Sequence, residues 1–114
     1  ITGFQDNARK SRIQSEHREL VSAVQSFIGS QDDPENASLT SLNQLAPYIS
    51  KNAKQESDLA SALAKNDKNP AHKIDGGKLV SEFIPAGKNN SDPNYKKWTY
   101  DWKAQTTATQ GGQN

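Results

Sequence analysis

Two histidines, one oxygen-rich loop and a row of aromatics are the residues whose types could do chemistry. His17 and His72 are the only histidines in 114 residues, and there is no cysteine. The missing thiols remove disulfides, cysteine nucleophiles and the usual structural zinc sites together. His17 falls on an apolar helical stripe. His72 follows NDKNPA, in a stretch that reads as a turn and has no ligand-like spacing to His17. A histidine at the edge of a core is the expectation for His17, not a metal ligand or a catalytic base. No Ser, His and Asp set has a recognisable nucleophile motif, and no glycine-rich phosphate loop is present. Asp32 and Asp33 are adjacent but sit in a polar turn. No enzyme is expected, and no cofactor or metal.

Two further sets bear on binding. Asn89, Asn90, Ser91 and Asp92 make an oxygen-rich loop, but it holds a single carboxylate where calcium calls for six to eight oxygens. Trp98, Tyr100 and Trp102 alternate along YKKWTYDWKA, so they share one face of a strand. They either pack on a helix as core or form a stacking platform for sugars or single-stranded nucleic acid. Core is the favoured reading, because large apolar side chains are few outside the helices.

The elements that must position these residues follow from periodicity. Ile13, His17, Leu20, Val21, Val24, Phe27 and Ile28 recur at intervals that make one buried helical stripe. Gly29 ends that helix, and the polar run around Asp33-Pro34 turns the chain. Before Ile13 only Ile1, Phe4 and Ala8 could continue the stripe, so the helix's first half has little reason to touch this domain. Nothing at Ile1 reads as a cap, and the helix is expected to continue upstream. In SLTSLNQLAPYIS, Ser41 and Gln44 have capping-box spacing, Leu39, Leu42 and Leu45 recur every third residue, and Pro47 ends or restarts the helix. A further helical piece is expected over 57–66. Beyond residue 70 the period turns extended: a segment at 72–74, a turn at Asp75-Gly76-Gly77, a strand over 79–84, a loop over 85–94 and the aromatic strand. TTATQGGQN predicts a disordered tail.

The organisation is one domain: a long helix at 1–29, a connecting segment with short helices at 30–71, an antiparallel meander at 72–104 and the tail at 105–114. The class is α+β, a long helix packed on a small antiparallel sheet. Charged residues make up 24% and hydrophobic ones 32%, so the core is small for the length. A net charge of +1 gives no field to steer nucleic acid. No stretch within these residues has the length of a membrane span or the layout of a signal peptide.

DNARKSRIQSEHRELVSAVQSFIGSQ, followed by LTSLNQLAPYIS, resembles the soluble part of type IV pilins and the related pseudopilins. A polar, basic run leads into an amphipathic helix, and a short Leu-rich helix then leads to Pro47, Tyr48 and Ile49. The likeness covers residues 1 to 50 by pattern and the remainder by the order of helix, connecting segment and sheet. The absence of cysteine resembles the cysteine-free pilins common in Gram-positive bacteria. The resemblance implies a pilin-like fold and a structural role: a subunit of a surface filament serving adhesion, motility or aggregation. A pseudopilin of a secretion or DNA-uptake machine is the alternative within the family, and a free-standing sugar- or nucleic-acid-binding module using the aromatic strand is the alternative outside it.

The family reading also implies partners and place. Copies of the subunit and minor pilins would pack through Ile1, Phe4, Ala8, Arg9, Lys10 and Arg12. Arg9, Lys10 and Arg12 either meet carboxylates such as Asp6, Glu16 or Glu19 of a neighbour or stand on a solvated face with pairs inside the helix. A membrane segment would precede Ile1, the filament would be extracellular, host surfaces or other cells would be contacts, and nucleic acid would not be a partner.

Overall fold

A computed structural model describes residues 2–49 and 71–111. Helix α1 runs Thr2–Gly29 and contains no proline. At about 1.5 Å per residue it spans roughly 42 Å, close to the 48 Å longest dimension of the protein. Its buried residues are Ile13, His17, Leu20, Ala23, Val24 and Phe27, with Val21 and Ile28 half-buried beside them. This is the expected stripe, widened by Ala23. Ser30 closes the helix: its amide bonds the Ser26 carbonyl at 3.1 Å and its hydroxyl donates to the Phe27 carbonyl at 2.8 Å.

The Leu-rich segment is a 3-10 helix, Leu42–Tyr48. An apolar repeat of three is the period of that tighter helix, in which residues i and i+3 lie one above the other. Leu39, Leu42 and Leu45 are accordingly all buried. The capping box forms as expected: the Asn43 amide donates to Ser41 Oγ at 3.2 Å, and the Ser41 amide donates to Gln44 Oε1 at 3.0 Å. Pro47 is accommodated, and the helix ends one residue later. The helical piece expected at 57–66 lies outside the described residues.

Four strands follow as a meander in the order β1-β2-β3-β4: His72–Asp75, Lys78–Phe83, Lys96–Asp101 and Thr106–Gln110. Each pairs antiparallel with the next. Gly76 and Gly77 take φ of +56° and +85° between the closing pair Asp75 and Lys78, the two left-handed positions of a tight hairpin turn. The sheet is therefore α+β with α1, as expected. The expected tail is corrected in part: Thr106–Gln110 forms an edge strand on β3. Its Thr-Thr-Ala-Thr-Gln run has strand propensity without apolar alternation, because α1 packs chiefly on β2 and leaves β4 exposed on both faces.

Helix and sheet enclose two apolar clusters. One gathers Leu20, Val24, Leu42, Leu45, Leu79, Tyr100 and Trp102; the other holds Ile13, Ala71, Phe83 and Trp98. What lies between them is polar.

Candidate functional site

On α1 the residue between Ile13 and Leu20 on the buried stripe is His17. On β2 the inward residue between Leu79 and Phe83 is Ser81. Strand register sets His72 of β1 and Trp98 of β3 on either side of Ser81. Alternation along the strands brings all of these to the face beneath the helix. Ser81 is 0% exposed, His72 2% and His17 6%.

The Nδ1 atoms of His17 and His72 each lie 2.7 Å from Ser81 Oγ. The far nitrogen of His72, Nε2, is 2.7 Å from Glu16 Oε1. The result is a continuous chain, Glu16–His72–Ser81–His17, that joins α1 to the sheet at two adjacent helical residues. The imidazole of His17 lies at a tilt beside Trp98, ring centroids 6.4 Å apart. Burial, then the charges of His72 and Arg18, push the His17 pKa down to about 4. The chain satisfies polar groups that would each cost about 1–3 kcal/mol if left unpaired in this seam.

Serine, histidine and carboxylate at these distances have the connectivity of a hydrolytic triad. Ser81 Oγ, however, sits between two rings and under a helix, with no exposed surface for a carbonyl to reach. The set holds helix to sheet. His72 stands buried in β1, at the start of the meander expected over 72–104, and not in the turn read from NDKNPA. Glu16, offered as a contact for a neighbouring subunit, is the partner of His72. The sequence signal for the seam was a Ser at an inward position of LVSEF matched by a His on an apolar helical stripe.

No family model and no characterised protein matches this sequence. The site is therefore read from its own geometry.

The first half of α1 does touch the domain, contrary to expectation, and through polar groups. Arg9 donates to Asp6 Oδ1 at 3.1 Å and to the Ile84 carbonyl at 2.8 Å, and its guanidinium lies 4.8 Å from the Phe83 ring centroid. Asp6 also accepts from the Ala86 amide at 3.3 Å. Arg9 is thus engaged within its own chain. Ala8 is exposed, while Lys10 and Arg12 are half-buried. Ile1 and the side chain of Phe4 lie outside the described residues.

Trp98, Tyr100 and Trp102 are buried in the two clusters, with Trp102 just past the end of β3. They offer no open face for stacking. Lys96 is buried with them, its Nζ 5.9 Å from the Trp98 ring centroid. In the 89–92 loop, Asn89 Oδ1 accepts from the Ser91 amide at 2.9 Å and Asp92 Oδ1 from the Asn94 amide at 2.8 Å. These oxygens are turned onto the loop's own backbone. No cluster of three or more metal-ligating side chains occurs among the described residues. No helix among them is long and apolar enough to cross a membrane.

Proposed function

We propose that this domain is the head of a type IV pilin-like filament subunit, which acts by polymerising and not by catalysis. The observation that carries the reading is the division of α1. From Ile13 onward the helix is fastened to the sheet by an apolar stripe and the polar seam. Ahead of Ile13, Asp6 and Arg9 bond to the 84–86 segment on one side of the helix, and Asn7, Ala8 and Ser11 are exposed. A helix docked along one side, with an exposed face ahead of Ile13, suits packing against copies of itself. In this reading a membrane-inserted segment would precede Ile1, and the assembled filament would lie outside the cell. The pseudopilin alternative shares all of these features.

The burial of Trp98, Tyr100 and Trp102 favours the filament reading over a free-standing aromatic binding module. Ala8→Glu places a charge on the open helix face without touching the core. The expected outcome is an isolated domain with an unchanged melting temperature, together with loss of surface filaments in cells that carry the variant. Normal filament numbers would remove Ala8 from the interface and the support that the open face gives.

A further inference from the structure

Ser81 has one hydroxyl proton and two histidine nitrogens to satisfy, so it must donate to one ring and accept from the other. Which way it faces is set at the far end of the chain. With both rings neutral, His72 Nε2–H donates to the Glu16 carboxylate, leaving His72 Nδ1 bare to accept from the Ser81 hydroxyl. Ser81 Oγ then accepts from His17 Nδ1–H. With a proton added to His72, Nδ1–H of that ring donates to Ser81, whose hydroxyl must turn to His17 Nδ1. The protons balance if the added one is taken up at His17 Nε2: the His17 Nδ1 proton passes to Ser81 Oγ, the Ser81 hydroxyl proton passes to His72 Nδ1, and His17 stays neutral with its proton on Nε2.

We propose that Ser81 is a reversible proton relay, through which protonation of His72 switches the ring tautomer of His17 while the helix stays docked on the sheet. No heavy atom need move, since every bond in the chain has an acceptor in both wirings. Charged and titratable groups face the seam from each element packed on it. From α1, the Glu16 carboxylate meets His72, whereas Arg18 lies on the His17 side. From β3, Lys96 stands beside Trp98, which borders His17. From β2, Glu82 is engaged by the Tyr95 hydroxyl. From β1, His72 is itself the group that takes the proton. A second proton, on His17, has no such accommodation: it sets two imidazolium rings against one oxygen and leaves the Ser81 hydroxyl proton without an acceptor. The seam is built to absorb one proton and to open at the second. This holds whether or not the chain assembles into filaments.

The experiment is a pH titration of the full chain with 15N-labelled histidine, reading the ring nitrogens by NMR. The expected result is that His17 passes from Nδ1–H to Nε2–H at the same midpoint at which His72 takes its proton, with the amide spectrum still that of the folded domain. A His17 ring that keeps one tautomer throughout the His72 titration, or a domain that unfolds at that first step, overturns the relay. In Ser81→Ala the His17 tautomer should cease to follow His72; continued following would show that the hydroxyl is not the link. Should that variant not fold, Glu16→Gln, at a half-buried position, changes the pH at which His72 titrates. The His17 switch must then move by the same amount, and a switch that stays in place overturns the proposal.

Discussion

His17 is where acid acts on this fold. The folded chain keeps its ring neutral down to about 4, while in the unfolded chain it takes a proton near 6.5. Between those values the unfolded state binds more protons, so stability rises with pH across the window. The contribution of His17 is fully present above 6.5 and is lost as pH falls to 4, at most on the order of 2–3 kcal/mol. His17→Asn keeps an amide group near the position of Nδ1 and cannot titrate. Urea unfolding from pH 7 to pH 4 should show a falling midpoint for the wild type and a flatter profile for the variant. Equal slopes would place the acid sensitivity elsewhere. The neighbouring stripe residue Leu20 makes the contrasting case, a loss that pH does not modulate. It is fully buried, and Leu20→Ala should cost roughly 2–5 kcal/mol of stability at any pH in that range; an unchanged unfolding midpoint would show that Leu20 carries no packing.

Among the elements, β4 rests on backbone pairing alone. Its five residues are exposed, and its end is set by Gly111, which takes φ of +75°. A Cβ there would stand 2.6 Å from the Tyr95 carbonyl oxygen. Gly111→Ala therefore adds left-handed strain and a backbone clash, and should cost about 1–3 kcal/mol. Amide hydrogen exchange across Thr106–Gln110 should accelerate before that of β2; uniform exchange would mean that β4 is no weaker than the sheet's centre. The same element marks a limit of the sequence. The long helix, the capping box and the Gly-Gly hairpin were legible because each has a local signature in period, spacing or φ. β4 was not, since its pairing depends on β3 and an unburied strand carries no apolar alternation. The polar seam was half legible. His17 stood out on its stripe, but its bond to Ser81 crosses 64 positions of sequence, and nothing local to the extended segment at 72–74 marked His72 as a third member. Arg9 was legible as a charge but not as a dock, because its acceptor is a backbone carbonyl at Ile84.

At the scale of the whole molecule, a helix nearly as long as the protein lies on a sheet it only partly covers. The two apolar clusters and the seam between them follow one another along the buried stripe of α1, where it meets the sheet and the 3-10 helix, so the helix is fastened along one line. Under the proposed filament reading, Ala8→Glu is a change that a neighbouring subunit would feel and the isolated domain would not.

That single line of fastening also has a consequence in time. Each strand pairs with its immediate successor along the chain, so the meander can form through short loop closures. Docking of α1 requires closing the far longer connection to β2, whose entropy cost falls due before its contacts are made. The helix is therefore expected to dock after the rate-limiting step of folding. Substitutions at the seam or at Leu20 should leave the folding rate nearly unchanged and speed unfolding, whereas Tyr100→Leu within the meander should slow folding. Stopped-flow chevrons would reveal the opposite partition if the helix nucleates the fold. On the expected order, the lifetime of the folded domain is set at Ser81 and its neighbours: the last contacts to close are the first to part.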